Sequence, residues 1–503
     1  MTDKLASQPA PDGGDIAALA KGGRTNFFGF LLRLAARVPF LFIAGRLYGA
    51  EALGIFASAL VVIEVVAQLG AMGQKRGLAQ QLTKEDVPPT HAIADGMVLS
   101  LLTGSVLSII LMLFPQPMFP SGQQNAMSLL LPLAIIPFCL TDIALAALAY
   151  RYDIGSTVKA RSVVEPWALS IAALALFYII PEGGLPLAYI ISIVLTAVAA
   201  IIPLLREYGL PYGWRPCLGR TARLAWGNLP LAIADMIEWG TRKVDIIILG
   251  FFATPSTVGV YYVAQQVATL PQKLKTSFEP ILGPVITRAL KNHDYNAIAR
   301  QVCQVGFWIV AAQAGIALAL GIPGEAVMGL VGPNFVGGTA ALAFLLAAEV
   351  VAALAVVSEA ALVYIARLRN LAVSIGTITL QAALTVAAML LVDHYGYSDL
   401  YHAAGAAAAL LLALATASLV KSLMLSRILG QSVNNFRWAL VYAAAPAVLI
   451  GWVTTSYFPE WAELLFGVPA ILGIYGWVIW RRGFGPEDRV LFRRKVGSPG
   501  EKA

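Results

Sequence analysis

The chain has 503 residues, of which 58% are hydrophobic and only 13% are charged, and its formal net charge is +7. Soluble domains carry about 25% charged residues, so this composition excludes a soluble globular protein and indicates one that crosses a membrane many times. The apolar runs are about 20 residues long, enough for helices to cross a hydrocarbon core of about 30 Å, and they lack the alternation of barrel strands. The expected fold class is an all-α polytopic membrane protein.

Residues 1–25 form a polar segment ahead of the first apolar run. The segment lacks the parts of a secretory signal, so we expect a cytoplasmic N-terminal tail. Cys139, Cys217 and Cys303 have neither disulfide nor zinc spacing and are expected to pack against apolar neighbours. The four histidines lie in loops or at span ends and are expected at the surface. We predict no metal and no cofactor.

Polar residues, prolines and glycines divide the apolar runs into about fourteen transmembrane spans. These lie at 27–47, 53–70, 92–114, 126–149, 166–180, 187–205, 226–251, 258–279, 301–321, 339–364, 371–391, 401–425, 438–457 and 463–480. An even number of spans places both termini on the same side of the membrane.

Lysine and arginine are concentrated in alternate loops, from Lys75 after the second span to Arg427 after the twelfth. The opposite loops carry none apart from Arg46 at a helix end. Because cationic loops stay on the cytoplasmic side during insertion, we predict cytoplasmic termini and a basic tail at residues 481–503. This pattern explains the net charge without a nucleic-acid partner.

An internal repeat appears when the sequence is shifted by 205 residues, which aligns "RVPFLFIAGRLYGAEALGIFASALVV" with "RKVDIIILGFFATPSTVGVYYVAQQV". Arg37, Gly45 and Gly54 then align with Arg242, Gly250 and Gly259. The repeat predicts two six-helix lobes related by a pseudo-two-fold axis along the membrane normal. The predicted organisation is an N-lobe at 26–210 (spans 1–6), a C-lobe at 211–430 (spans 7–12) and spans 13–14 at 431–480.

Basic residues inside the spans are candidates for an anion-binding cavity between the lobes. Arg33 and Arg37 lie one turn apart on one helix face, about 10 and 16 Å into the layer. Facing lipid there would cost at least about 2.5 kcal/mol each, so we expect both to face a watery interior. The predicted cavity cations are Arg33, Arg37, Arg242, Lys243, Lys273 and Lys275.

Some of the basic residues lie nearer to the membrane surfaces. Snorkelling toward water explains Lys273 and Lys275 as well as a binding role does. Arg46 and Lys421 sit at span ends, where snorkelling is the expected arrangement.

Acidic residues also occur within the spans. They are expected either to pair with the cations or to carry a coupling proton or sodium ion, and the sequence leaves both roles open. Glu238 and Arg242 have the i,i+4 spacing of a helical ion pair. The candidate counter-ions or coupling groups are Glu64, Asp142, Asp235, Glu238, Asp245 and Glu359.

Three stretches carry a family resemblance: "RLYGAEALGIFASA", "GNLPLAIADMIEWGTRKVDIIILGFFATPSTVGVYYVAQQV" and "AVMGLVGPNFVGG". With about fourteen spans, the chain resembles a bacterial oligosaccharide flippase of the Wzx type over about residues 25–480. These flippases form the polysaccharide-transport branch of an exporter superfamily that includes MATE drug exporters and the lipid II flippase.

The resemblance implies a non-enzymatic flippase that works by alternating access around a cationic cavity. The implied cargo is an undecaprenyl-diphosphate-linked repeat unit, moved from the cytoplasmic to the periplasmic leaflet of the inner membrane for O-antigen, capsule or exopolysaccharide assembly. Coupling to a proton or sodium gradient is implied by analogy, and Asp245 matches the Asp of a D-x-x-x-L-G pattern. Membrane lipids and the polymerase and chain-length proteins of the same pathway are the implied partners.

Two other functions fit parts of the sequence. A MATE-like exporter of drugs or metabolites would share the fold, but its cavity would favour acids over Arg37, Arg242 and Lys243. An intramembrane polysaccharide polymerase or ligase would need a sizeable outward loop with Arg or His for its chemistry, whereas the longest outward loop is 321–338.

Overall fold

The computed structural model describes residues 38–82, 87–151, 153–241, 243–276 and 295–485. Within these ranges every regular element is a helix and no strand occurs. Eleven helices are long and apolar enough to cross a membrane, judged by length and composition. The predicted class, an all-α polytopic membrane protein, is confirmed.

The helices follow the predicted spans closely. A helical stretch begins at Val38, where the description starts, and is followed by α1. The numbered helices are α1 Gly49–Gly70, α2 Gln74–Leu82, α3 Pro89–Leu113, α4 Ile135–Tyr150, α5 Ile154–Phe177, α6 Gly184–Tyr208, α7 Leu218–Thr241, α8 Val244–Phe252, α9 Pro255–Thr276, α10 Tyr295–Gly321, α11 Gly324–Val331, α12 Thr339–Ile365, α13 Arg367–Tyr395, α14 Leu400–Leu429, α15 Ala439–Tyr457 and α16 Glu460–Gly483.

The eleven membrane-length helices and the predicted spans differ in number for two reasons. The stretch Val38–Gly70 combines the end of the first predicted span with the second, although the φ of +83° at Gly49 breaks the helix between them. The seventh and eighth predicted spans form α7, α8 and α9, which are not among the eleven. α8 has only nine residues, and α7 and α9 are less apolar than the eleven.

The fifth span begins earlier than predicted, at Ile154 and not at 166. The side chain of Asp153 accepts a hydrogen bond from the backbone N–H of Ser156 at 3.0 Å and caps the helix. A π-helical segment follows at Lys159–Val164. The polar residues of this stretch predict a loop, whereas the structure shows a helix. This helix places Arg161 inside the bundle.

The chain divides into two compact units, Met1–Tyr262 and Val263–Ala503. A core of the first unit contains Leu78 of α2, Ile143 of α4 and Leu204 of α6. The first unit also contains α7 and α8, which lie beyond the lobe boundary at 210 that the repeat predicts. The two-lobe arrangement itself stays a prediction.

The core of the second unit includes the last two helices. Phe307 and Val310 of α10 pack in one cluster with Ala443 of α15 and Ile471 of α16. The guanidinium of Arg437 lies 4.1 Å from the ring centroid of Phe307 and donates to the carbonyl of Gly483 at 2.7 Å. Predicted spans 13 and 14 are therefore integral to this unit.

Helix α1 and the first turns of α9, both within the first unit, meet through glycine. A Cβ on Gly54 of α1 would overlap the carbonyl oxygen of Pro255 in α9, and a Cβ on Gly259 would overlap the carbonyl oxygen of Ala50. Glycine is required at both positions because any side chain would separate the two backbones.

Candidate functional site: charges buried in the helical bundle

Most of the predicted cavity cations fall where the structure gives no side-chain position. Arg33, Arg37 and Arg242 lie outside the described residues, and so do the side chains of Lys273 and Lys275. The side chain of Glu238 is likewise outside the described part. Their convergence on one cavity therefore stays a prediction.

Lys243 is the predicted cavity cation whose side chain is described, and it lies at a break in the seventh span. The predicted continuous span at 226–251 is interrupted at Lys243, which has a turn conformation immediately before α8 begins at Val244. Lys243 caps α8 with φ −130° and ψ 0°, which is not helical, and it is half-buried. A half-helix that starts inside a bundle directs the positive end of its dipole toward the break, an arrangement that many transporters use for ligands.

Asp245 occupies the first turn of α8 and is only 1% exposed. Its carboxylate accepts hydrogen bonds from the backbone N–H of Ile246 at 2.9 Å and from the hydroxyl of Tyr261 at 2.5 Å. The start of α8 and the Tyr261 hydroxyl offset part of the cost of burying this carboxyl group. These bonds hold Asp245 in a defined position, which suits a counter-charge for the cations at the break.

A second charged group lies inside the first unit and centres on Arg161. Its guanidinium contacts the carboxylate of Asp142 at 2.5 Å and that of Glu165 at 2.8 Å. It also stacks 4.5 Å from the ring centroid of Phe138. All three charged side chains are largely buried. Two carboxylates thus share one guanidinium, and the excess negative charge can accept a proton or a small cation.

The surroundings of the Arg161 group add a further acid. Tyr189 of α6 is buried and lies within electrostatic range of Glu64, Glu165 and Arg161. Glu64, on α1, is half-buried. Sequence reasoning found Glu64 and Asp142 but missed Arg161 and Glu165. Asp153 at a capping position and the i,i+4 spacing of Arg161 and Glu165 were the signals that could have located them.

The second unit contains its own intramembrane ion pair. The Nζ of Lys421 in α14 lies 2.9 Å from a carboxylate oxygen of Glu359 in α12. The side chain of Lys421 is 8% exposed, whereas that of Glu359 is 46% exposed. The expectation that Lys421 snorkels is therefore wrong, because its ammonium is held inside by a carboxylate. Arg46, in contrast, is exposed and lies 4.6 Å from the ring centroid of Phe42.

Two further acids of α7 and α3 are buried. Asp235, one of the predicted coupling groups, is 6% exposed in α7. Asp95 of α3 accepts hydrogen bonds from Trp214 at 2.8 Å and from Arg220 at 2.6 and 2.8 Å. This clamp fixes the segment before α7 onto α3. It also occupies Arg220, one of the basic residues that lie in the loop after the sixth predicted span.

Eleven membrane-length helices, with ion pairs inside both units, define a multi-pass membrane protein that buries charged side chains. The chain belongs to the polysaccharide biosynthesis protein family, whose sequence model matches residues 43–318. No curated protein matches the sequence.

Solved transporters share the fold at low sequence identity. The lipid II flippase MurJ in an inward closed conformation is 14% identical, with a TM-score of 0.64, over 93% of this chain and 98% of MurJ. An inward-facing multidrug resistance MATE family transporter of the MOP superfamily is also 14% identical, with a TM-score of 0.64, over 79% of this chain and 94% of its own. A MOP superfamily transporter from Pyrococcus furiosus, described with a binding pocket of reversed polarity, gives a TM-score of 0.55 at 14% identity over 82% and 95% of the two chains. The chain therefore shares its fold with these transporters.

Proposed function

We propose that the chain is a Wzx-type flippase, which moves undecaprenyl-diphosphate-linked oligosaccharide repeat units from the cytoplasmic to the periplasmic leaflet of the bacterial inner membrane. The observation that carries the proposal is the family match over residues 43–318 in a chain with a transporter fold. A transporter fold in a polysaccharide biosynthesis family points to a translocation step in polymer assembly.

The physical problem of this reaction is the headgroup. A diphosphate and its sugars cannot enter hydrocarbon, because removing their water costs far more than apolar contacts return. A hydrated cavity lined by cations replaces that water while the lipid tail stays in the bilayer. The cations proposed to bind the diphosphate are Arg33, Arg37, Arg242, Lys243, Lys273 and Lys275, and the break before α8 supports Lys243 among them.

The cavity must open to one leaflet and then to the other, and its affinity for the diphosphate must fall before this strongly bound anion can be released. We propose proton or sodium coupling through the buried acids. The Arg161 group with Asp142 and Glu64 is the strongest candidate, because Arg161 is shared by two carboxylates in a largely buried site. Asp235, Glu238, Asp245 and Glu359 are the further candidates.

The topology and partners of the flippase complete the proposal. We propose the topology that the sequence predicts, with cytoplasmic termini and two lobes related by a pseudo-two-fold axis. A polymerase and chain-length proteins would receive the flipped units on the far side of the membrane.

A MATE-like exporter of drugs or metabolites is the second candidate. The excess of carboxylates around Arg161 favours it, since acids suit cationic cargo. The MATE likeness itself, at 14% identity, shows only the fold.

Reconstitution separates the two functions. Lipid-linked glycan is extracted from a host strain that lacks the chain, because such a strain accumulates the unflipped substrate. Proteoliposomes that contain this lipid are probed with an impermeant glycosidase, and the fraction protected from it is followed over time. The flippase proposal expects transbilayer movement of the glycan lipid and no uptake of the cationic dye ethidium. Ethidium movement without glycan movement would reverse the assignment.

A further inference from the structure

Three tyrosines form a continuous surface at the turn between α13 and α14. The rings of Tyr395 and Tyr397 lie 6.0 Å apart and those of Tyr397 and Tyr401 lie 5.2 Å apart, measured between centroids. The three residues are 66%, 58% and 55% exposed. We call these three residues the tyrosine surface.

The turn that carries the tyrosine surface is held in one conformation. Gly396 adopts a left-handed φ of +65°, and the N–H of Tyr397 donates to the carbonyl of Val392 at 3.2 Å, which closes the end of α13. His402 is buried, contrary to the expectation that the histidines lie at the surface. Its Nε2 lies 3.1 Å from Asp393 and its Nδ1 lies 3.3 Å from Asp399. The backbone that carries the rings is thus pre-organised, which lowers the entropic cost of binding a ligand.

We infer that the tyrosine surface binds the saccharide part of the transported molecule after it reaches the outward side. This inference rests on the proposed function and on the predicted topology, in which the turn after the eleventh span faces outward. A pyranose ring presents a face of C–H groups, which packs on an aromatic ring, and a rim of hydroxyls. Asp393, whose side chain is 55% exposed, and the tyrosine hydroxyls supply hydrogen-bond partners for that rim.

Anchoring at the lipid–water interface is the other common role for exposed tyrosines. Tyr178 and Tyr457 fit that role, because each lies at the end of a membrane-length helix. The tyrosine surface differs because its rings contact one another in series, with centroids 6.0 and 5.2 Å apart, which presents the extended aromatic face that a saccharide can cover.

Chemical protection of single tyrosines tests the inference. The purified full-length chain in nanodiscs is treated with diazobenzenesulfonate, and modification of each tyrosine is followed by mass spectrometry. The probes are oligosaccharides of glucose, galactose and N-acetylhexosamine, with glycerol as the control additive. A bound glycan at three times its dissociation constant leaves about a quarter of the sites free, so modification of Tyr397 and Tyr401 should slow about fourfold. Tyr178, Tyr457 and the exposed Tyr212 should react at unchanged rates.

Variants separate stacking from general shielding. Tyr397→Phe with Tyr401→Phe keeps the aromatic faces, so glycan should still protect Tyr395. Tyr397→Ala with Tyr401→Ala removes the faces and should abolish that protection. Failure of every probe to protect the surface, or equal protection of Tyr178 and Tyr457, would overturn the inference. Protection without glycan-lipid movement in proteoliposomes would support saccharide binding at the tyrosine surface and would refute the flippase proposal.

Discussion

Gly54 and Gly259 lie against each other's backbone in a reciprocal contact. A Cβ on Gly54 would come within 2.8 Å of the amide nitrogen of Gly259, and one on Gly259 would come within 3.0 Å of the amide nitrogen of Gly54. The carbonyls that face them belong to Pro255 and Ala50. Under the 205-residue shift these are again equivalent positions. Self-complementary contacts of this kind arise between equivalent surfaces related by a two-fold operation.

Alanine at either glycine should force the two helices apart. We expect Gly54→Ala or Gly259→Ala to destabilise the protein by about 1–3 kcal/mol, the usual cost of overpacking. Because one substitution already opens the shared contact, the double variant should cost clearly less than the sum of the two. The measurement is thermal unfolding in detergent by near-UV circular dichroism.

Gly227 provides the matched control for the glycine contact. It lies in α7, and nothing lies within 4 Å of the place that a Cβ would occupy there, so Gly227→Ala should be neutral or slightly stabilising. Strictly additive losses at Gly54 and Gly259, or a loss at Gly227 of the same size, would show that the close approach is not the cause.

The cavity cations can be tested by transport even though their side chains are not described. If Arg37 and Arg242 bind the diphosphate, Arg37→Ala and Arg242→Ala should each lower glycan-lipid flipping by about tenfold or more, since a hydrogen bond to a charged group contributes about 1.5–3 kcal/mol. Arg46→Ala, at an exposed residue, should change the rate little. Wild-type flipping by the double variant Arg37→Ala with Arg242→Ala, at normal expression, would eliminate the cationic cavity.

The sequence predicted the fold well because hydropathy and span length decide where helices cross lipid. The helix α12, predicted at 339–364, is observed at Thr339–Ile365. Helix ends inside polar stretches were predicted less well. The start of α5 depends on a single side-chain cap at Asp153, which average hydropathy does not detect.

The partners of the buried charged residues could not be predicted from the sequence. Burial of Asp142 could be inferred from its place in an apolar span, but its partner lay in a stretch interpreted as a loop. The burial of Lys421 depends on Glu359, which is 62 positions earlier (421 − 359) and meets it only through the packing of α12 on α14. The depth of a charged residue in a membrane-spanning helix predicts the free-energy cost of placing its charge there. Tertiary structure determines which residue pairs with that charge.

We expect variants of the Arg161 group to differ strongly in their free energy of unfolding. Arg161→Met leaves two buried carboxylates without their cation and should destabilise the protein by about 3–5 kcal/mol. Adding Asp142→Asn and Glu165→Gln removes the uncompensated charge and should restore most of the stability. Thermal unfolding in detergent measures both effects. A triple variant as unstable as Arg161→Met would mean that packing on Phe138, and not charge pairing, is the main contribution.

The Lys421–Glu359 pair should respond unequally because its partners are unequally buried. Glu359→Ala leaves the buried ammonium unpaired and should cost about 1–3 kcal/mol. Lys421→Met removes the buried ammonium and leaves the carboxylate that is 46% exposed, so the loss should be the smaller of the two. Unfolding temperatures of the two variants give the comparison, and equal losses would contradict the burial assignment of Lys421.

Cys217 offers a test of topology and of local electrostatics together. The thiol is fully exposed before α7, and backbone N–H groups of Arg220 and Gly219 lower its pKa by donating to the thiolate. A lowered pKa keeps more thiolate at a given pH, so maleimide labelling should reach its half-maximal rate at a lower pH than labelling of free cysteine. In a Cys303→Ser background, Cys139 is buried and should stay unlabelled.

An impermeant maleimide should label Cys217 in inside-out vesicles and not in right-side-out vesicles, because the loop after the sixth span is predicted to be cytoplasmic. Labelling from the periplasmic side would invert the topology and place the tyrosine surface on the cytoplasmic face.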